Sequence, residues 1–220
     1  MSSPVLGVVV ESSSWSPVDL REAVSGEYSG PQPGLLRRSD GEQLMYPGKL
    51  HSVAGPPGGG KSWIAQVLCA QVLQADSNTL YVDFEDAAES VVGRLKILGV
   101  PDQTILGRFG YVSPSEPFPT NPPADLDRWV EAVDLVVLDG VTDAMTLNQW
   151  NPLDNKDAAE FMQRLVGPFS SGERRPAVLM VDHVTKSKDN RGGYAIGAQH
   201  KLAAGYRQQD KNQSQPGTVT

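Results

Sequence analysis

The sequence is poor in cysteine, in long apolar runs and in positive charge. Its 220 residues include a single cysteine, Cys69, so no disulfide can form within the chain, which suits a reducing compartment. We expect Cys69 to be a small buried residue and not a nucleophile. No run reaches the ~18 apolar residues of a membrane-spanning helix, and the apolar run 5–10 is too short for a signal peptide and has no basic residue before it. These absences predict a cytoplasmic protein without a membrane anchor.

Charge is distributed unevenly along the chain. There are 19 lysines and arginines against 26 acidic residues, a formal net charge of −7. Residues 184–220 include six basic and two acidic side chains, a net charge of +4, which leaves a net charge of −11 for residues 1–183. This basic strip is either an anion-binding face or a solvated tail. Its basic residues are Lys186, Lys188, Arg191, Lys201, Arg207 and Lys211.

A glycine-rich stretch at residues 55–62 fits the phosphate-binding pattern G-x-x-x-x-G-K-[ST] at every fixed position. A predicted strand over 49–54 precedes it, and a predicted apolar helix follows. The glycines let the backbone aim N–H groups at phosphate oxygens, and the helix start adds unpaired donors. Lys61 is placed to reach the β- and γ-phosphates of ATP, and the Ser62 hydroxyl to hold Mg²⁺. The predicted nucleotide-binding residues are Gly55, Pro56, Pro57, Gly58, Gly59, Gly60, Lys61, Ser62 and Trp63.

Strand and helix patterns alternate through the rest of the chain. This alternation predicts an α/β fold in which a parallel sheet carries helices on both faces. We divide the chain into an irregular N-terminal arm (1–47, with one short helix near 17–24), a nucleotide-binding core (48–206) and a flexible polar tail (207–220). The predicted strands are 49–54, 79–84, 109–112, 135–138 and 177–181, and the predicted helices are the one that ends near residue 74, 87–98, 125–132 and 155–166.

Three polar side chains follow predicted strands and should share one edge of the sheet, where ligands of such folds bind. Asp139 follows a continuous apolar run and matches the second nucleotide motif, Walker B, in which a carboxylate binds Mg²⁺ through its water shell. Glu85 fits the general base that deprotonates the attacking water. His183 fits a group that contacts the γ-phosphate and reports its hydrolysis.

Structural interpretations of these side chains stay open. Asp139 could instead cap a turn at the strand end, Glu85 could be a purely structural acid, and a lone histidine such as His183 is more often structural. Asp86, next to Glu85, fits a helix cap. A separate metal site for nuclease chemistry is a minor alternative, which the spacing supports little; it would be formed by Asp139, Asp143, Asp182 and His183.

Several segments together resemble the RecA-like P-loop ATPase core, and most closely the RepA/DnaB-type ATPases of phages and actinobacteria. Four of them are the glycine-rich stretch 55–62, Phe84-Glu85-Asp86, 135–140 and 182–186. The segments that point to this branch are Arg38-Ser39-Asp40-Gly41, Tyr46-Pro47-Gly48 and Tyr194-Ala195-Ile196-Gly197-Ala198-Gln199-His200-Lys201. The resemblance covers about residues 15–204.

The resemblance implies a role for each matching residue. Lys61 and Ser62 hold phosphate and Mg²⁺, Asp139 serves the metal, Glu85 is the catalytic base and His183 senses the γ-phosphate. It also implies that the strand at 177–181 inserts between those at 49–54 and 135–138. Members form hexameric rings or filaments, with ATP at subunit interfaces and nucleic acid in the central channel. Single-stranded DNA or a neighbouring subunit would then contact the region of Lys186, Lys188, Arg191 and Lys201.

The chain departs from this family after Tyr206, where it turns polar. RecA-like cores continue with further strands, one of which carries a cationic finger; Arg191, Lys201 and Arg207 are the candidate substitutes here. We expect a Mg²⁺-dependent ATPase of phage-type DNA replication or recombination in a bacterial host cytoplasm, with helicase or translocase activity as one form. The alternatives are a nucleotide-binding adaptor that hydrolyses ATP slowly and loads another replication protein, and a DNA-processing nuclease.

Overall fold

The computed structural model describes residue 17, residues 19–26, 32–170 and 174–183, and the backbone of 203–205. It divides the chain into two units, Met1–Gln32 and Pro33–Thr220. In the first unit, one short helix is described, α1 (Arg21–Val24). Two earlier predictions lie outside the described residues: the basic strip apart from the backbone of 203–205, and the flexible tail. The apolar run 5–10, whose composition also allows an edge strand, lies outside them as well.

A six-stranded sheet, in which every pair of neighbours is parallel, forms the centre of the second unit. The strands are β3 (Leu50–Gly55), β4 (Thr79–Asp83), β5 (Phe109–Val112), β6 (Leu135–Asp139), β7 (Ala177–His183) and β8 (Ala203–Gly205). Their order in the sheet is β5-β4-β6-β7-β3-β8, so β7 lies between β3 and β6 as the family resemblance implies. All residues of β4 and β6 are buried, because helices cover both faces of a parallel sheet.

Helices pack on both sides of this sheet and complete a three-layer fold. The helices are α2 (Lys61–Gln74), α3 (Ala88–Ile97), α4 (Asp102–Arg108), α5 (Ala124–Ala132), α6 (Val141–Leu147), α7 (Asn155–Phe161) and α8 (Gly167–Ser170). One core lies between the sheet and helices α2, α3 and α4, and it includes Leu68, Leu95 and Ile105. The other core lies on the opposite face and includes Met145 of α6 and Phe161 of α7.

The two cores draw alternate residues from each central strand, since successive side chains of a strand point to opposite faces. On β4, Tyr81 belongs to the first core, while Leu80 and Val82 belong to the second. On β6, Val137 and Leu138 divide in the same way. The predicted α/β P-loop architecture is therefore confirmed. Cys69 is fully buried in the first core, as expected.

Several elements differ from the predicted ones. Residues 35–45, assigned to the irregular arm, form an antiparallel hairpin of β1 (Leu35–Arg37) and β2 (Gln43–Met45). Its strands have only three residues each, too short for a periodic signal, and it is held by packing of Met45 into the core. The predicted helix over 155–166 is α-helical to Phe161, continues as a π-helical turn over Met162–Val166 and is followed by α8.

Helices α4 and α6 and strand β8 were not predicted at all. Helix α4 buries only Ile105, so its sequence carries almost no amphipathic pattern. Helix α6 begins directly after Gly140, where the sequence reads as a turn. Strand β8 has three residues and pairs with the edge of β3. None of the helices among the described residues is long and apolar enough to cross a bilayer.

Candidate nucleotide-binding site

The glycine-rich loop joins the end of β3 to the start of α2, the strand–loop–helix context that the motif requires. Gly58 and Gly60 have φ values of +71° and +84°, a left-handed conformation that a side chain would strain. Pro56 and Pro57 carry no N–H. The Gly59 N–H donates to Pro56 O at 3.1 Å. The amides left to face an anion are therefore those of Gly58, Gly60 and the first turn of α2.

Lys61 is the buried cation of this loop, with only 5% of its surface exposed. Its Nζ donates to Pro56 O at 3.1 Å and lies 3.0 Å from Nδ1 of His183. Burial lowers the pKa of Lys61, and the charges of Glu85, Asp139 and Asp182 act in the opposite direction. A lysine held by neutral acceptors inside an acidic surround is well placed to exchange them for phosphate oxygens.

His183, at the end of β7, bridges Lys61 to the end of β4. Its Nε2 lies 2.7 Å from Oε1 of Glu85. A protonated lysine can only donate, so Nδ1 of His183 accepts, and Nε2 then carries the hydrogen and donates to Glu85. Burial raises the pKa of Glu85, while the hydrogen bond from His183 lowers it. The order Lys61–His183–Glu85 thus joins the loop to the candidate base.

Glu85 is positioned by a tight turn after β4. The Oδ1 atom of Asp83 accepts hydrogen bonds from the N–H groups of Glu85 and Asp86, both at 3.0 Å. The Tyr111 hydroxyl donates to Asp83 Oδ2 at 3.0 Å. Asp86 itself forms an ion pair with Arg94 on α3 at 3.2 Å, and its Oδ1 accepts from the N–H of Ala87, the residue before α3. Asp83 is a polar residue in a mostly apolar strand, a signal for this turn that sequence reasoning missed.

Gly140 makes room for Glu85 on the other side. Its φ is +89°, and a Cβ there would lie 2.7 Å from Cγ of Glu85 and 3.2 Å from Cβ of Phe84. Residue 140 therefore has to be glycine both for its backbone conformation and for the approach of the carboxylate.

Asp139 ends β6 beside the phosphate loop and is 3% exposed. The Tyr81 hydroxyl donates to its Oδ2 at 2.5 Å, and its Oδ1 is buried without a hydrogen-bond partner. Burial raises the pKa of Asp139, and the hydroxyls of Tyr81 and Ser62 act against that rise. The loop serine and the strand-end carboxylate, roughly 80 residues apart in sequence, thus lie together.

The donor set around Asp139 fits a magnesium ion. Hard oxygen ligands suit Mg²⁺, which is held in nucleotide sites by one or two protein oxygens together with substrate phosphates and water. The buried, unpartnered Oδ1 of Asp139 and the nearby Ser62 hydroxyl meet that requirement. Among residues 32–170 and 174–183, no group of three or more His, Cys, Asp or Glu side chains forms a metal-binding cluster.

The predicted nuclease-type metal site is not supported by these contacts. Asp182 accepts hydrogen bonds from the Thr142 hydroxyl and from the N–H of His183, both at 2.8 Å. Burial raises its pKa, and these two bonds act against the rise. Asp182 therefore anchors α6 to β7 and sets the backbone of His183. Trp63, also predicted to bind nucleotide, is partly exposed, with the Arg94 guanidinium 5.6 Å from its ring centre.

Comparison with known proteins agrees with this geometry. A family model described as an AAA domain matches residues 35–189, which include the hairpin, the phosphate loop and all three strand-end side chains. No curated protein sequence gives a significant match. Because the model covers well over half of the 220 residues, the chain belongs to the AAA domain family of P-loop ATPases.

Proposed function

We propose that this protein is a Mg²⁺-dependent ATPase that acts on DNA during replication or recombination. The observation that carries the enzymatic part is the continuous contact Lys61–His183–Glu85, with distances of 3.0 Å and 2.7 Å. A merely nucleotide-binding protein needs the loop lysine but has no need for a carboxylate coupled to it. The linked base and phosphate-binding cation are what hydrolysis requires.

In this proposal the chain's own residues bind the phosphates of ATP, orient the attacking water and accept its proton. The loop amides and Lys61 hold the phosphates, and Lys61 exchanges Pro56 O and His183 for phosphate oxygens. Glu85 orients the attacking water and accepts its proton. His183 stays bonded to Glu85 through Nε2–H when phosphate oxygens replace it at Lys61, so its release from Lys61 reports that the γ-phosphate is present.

Ser62 and Asp139 are the residues that would hold Mg²⁺. When bound, this ion would supply the positive charge that neutralises the negative charge developing on the phosphates during transfer. A donor set of two protein oxygens suits Mg²⁺, which usually keeps substrate and water ligands as well.

The DNA-related part rests on the resemblance to RepA/DnaB-type ATPases and on the charge of the chain. Residues 184–220 carry +4 in a protein of net charge −7, and phosphate backbones bind basic surfaces. We propose that single-stranded DNA contacts Lys186, Lys188, Arg191 and Lys201, and that subunits assemble into a hexamer or filament. ATP binding and release would then alter the grip of the subunits on DNA.

A nucleotide-dependent adaptor is the second candidate, and one observation favours it. Among the residues that the structure describes, the side chains that act electrostatically on Glu85 are His183, Asp139 and Asp143, and none of them is an arginine. An arginine finger is worth roughly 10³–10⁵ in rate. In the absence of a neighbouring subunit that supplies one, hydrolysis would be slow, and the protein would act by binding ATP and loading another replication protein.

The test is an ATPase assay with and without single-stranded DNA, run beside sizing of the assembly. DNA-stimulated turnover by a large assembly supports the motor, whereas slow turnover by a monomer that ignores DNA supports the adaptor. Lys61→Ala should abolish turnover, and Lys156→Ala, which changes an exposed lysine on α7, is the matched control.

Replacing Lys186, Lys188 and Arg191 together by glutamine should weaken DNA binding and flatten its salt dependence, by about one unit of slope per lost phosphate contact. An unchanged slope would remove this segment from the DNA contact.

A further inference from the structure

The Tyr81 hydroxyl is a buried polar group that the proposed chemistry does not use. Tyr81 lies in the middle of β4 and has no exposed surface. Its ring is stacked on Tyr111 with centres 6.3 Å apart and tilted against Phe109 at 6.1 Å. A ring wedged in this way can place its hydroxyl at only one point.

Strand register explains why that point is the carboxylate of Asp139. Asp83 pairs with Asp139 across β4 and β6, and Tyr81 is two residues before Asp83, so all three side chains lie on the same face of the sheet. The phenol extends along this face to the strand end and donates to Asp139 Oδ2 at 2.5 Å. A tyrosine hydroxyl ordinarily has a pKa of about 10, so at neutral pH the phenol is protonated and donates this hydrogen bond.

Helix α2 supplies a second polar group from above this face. Gln66 is four residues after Ser62, so both side chains are on the same side of α2. Gln66 has no exposed surface, and neither its Oε1 nor its Nε2 has a hydrogen-bond partner of good geometry. Its amide nevertheless lies near the Tyr81 hydroxyl. Burial of an amide without a hydrogen-bond partner costs free energy. We therefore expect this pair of buried polar groups to serve the site.

We propose that Tyr81, supported by Gln66, is a positioning residue for the metal-binding carboxylate. By occupying Oδ2, the phenol prevents rotation of Asp139 and leaves the unpartnered Oδ1 for the ion beside Ser62. The inference deepens the proposed function and rests on it, because it assumes that Asp139 serves a metal. Groups that orient metal ligands in this way are worth about 10–100-fold in metal affinity.

The test measures metal and nucleotide binding separately, with no reliance on turnover. A fluorescent ATP analogue is titrated in EDTA, and Mn²⁺ is titrated by electron paramagnetic resonance into the analogue-loaded protein. Tyr81→Phe should weaken Mn²⁺ binding about 10–100-fold and leave analogue binding in EDTA within about twofold. Tyr111→Phe is the matched control: it removes a neighbouring hydroxyl from Asp83 and should leave Mn²⁺ affinity unchanged.

A double-mutant cycle shows whether Tyr81 acts through Asp139. In the Asp139→Asn background, adding Tyr81→Phe should change Mn²⁺ affinity by less than about twofold. Unchanged Mn²⁺ affinity in the single variant, or an equal loss in both backgrounds, would overturn the proposal. Tyr81→Phe by itself could prevent folding. In that case, a double variant that folds supports the proposal, because the loss then depends on the carboxylate of Asp139. If neither variant folds, the proposal is overturned, because Tyr81 then has only a packing role. If the wild type itself binds no analogue in either condition, the proposed function fails first.

Discussion

His183 and Glu85 are joined across the carboxyl edge of the sheet, with Nε2 of the imidazole 2.7 Å from Oε1 of the carboxylate. The residues are 98 positions apart in sequence, and the strands that position them are not neighbours: Glu85 follows β4, His183 ends β7, and β6 lies between these strands. The same imidazole contacts Lys61 through Nδ1. In the proposed mechanism, nucleotide binding at Lys61 is therefore coupled, through one side chain, to the orientation of the candidate base.

His183→Ala should lower the single-turnover rate of ATP hydrolysis about 100-fold, because misplacement of a reacting group by about 1 Å costs that much. The dissociation constant for ATP should change by less than about threefold, since Lys61 and the loop amides remain. His51→Gln is the control: His51 is buried on β3 and contacts Tyr46, so its loss should lower thermal stability and leave the rate per folded molecule unchanged. A wild-type rate in His183→Ala would reduce His183 to a structural residue.

Glu85→Gln should retain ATP binding and slow hydrolysis by about 10²–10⁴-fold, the usual contribution of a general base. The amide keeps the shape and an acceptor oxygen for His183 but cannot take a proton from water. Glu89→Gln, an exposed residue in the first turn of α3, serves as the matched control. Equal rates in Glu85→Gln and the wild type would move the base elsewhere.

The pH dependence of single-turnover hydrolysis should show an acid limb above the ordinary glutamate pKa of about 4.3. Burial raises the pKa of Glu85, and the protonated carboxyl cannot accept a proton, so the rate falls as the pH drops through the raised value. The hydrogen bond that His183 donates from Nε2 lowers the pKa of Glu85, so His183→Ala should move the limb to higher pH. A limb that stays in place, measured on the residual activity, would contradict the coupling.

Asp139→Asn should stabilise the metal-free protein while abolishing its metal dependence. Burial raises the pKa of Asp139 in the fold above the unfolded value, so its ionised form opposes folding at neutral pH, and a neutral amide removes that cost. For a chain of this size, each 1 kcal/mol corresponds to a rise in Tm of roughly 2–4 °C. Thermal unfolding in EDTA checks this, and the gain should disappear below the raised pKa, where the wild-type carboxyl is also neutral. A lower Tm at neutral pH would mean that the Tyr81 hydrogen bond outweighs desolvation.

Gly140→Ala should destabilise the protein and slow hydrolysis together. The φ of +89° costs a residue with a side chain about 1–2 kcal/mol, and the new Cβ would displace Glu85. Gly93→Ala is the control: no atom lies within 4 Å of a Cβ at this position in α3, so it should stabilise by roughly 1 kcal/mol, the difference in helix propensity. Chemical denaturation and single-turnover rates distinguish the two variants. Wild-type activity in Gly140→Ala would show that Glu85 does not need this space.

The sequence by itself determined the phosphate loop, the order of the central elements and the strand-end residues Glu85, Asp139 and His183. These follow from local rules: glycine spacing sets the loop, and continuous apolar runs mark strands that are buried on both faces. Helix α4 and the hairpin of β1 and β2 escaped prediction because few of their residues are buried, and an element stabilised mainly by tertiary packing leaves little pattern in its own sequence.

Only the tertiary structure decided which side chains meet. The bridge from Lys61 through His183 to Glu85 and the bonds from Tyr81 to Asp139 and from Tyr111 to Asp83 all join separate elements, and their partners depend on sheet order and register. Tyr81 shows the limit most clearly: in a buried strand it reads as one more core aromatic. Only the pairing of Asp83 with Asp139 places its hydroxyl on the carboxylate, because a shift of one residue would turn the ring to the opposite face.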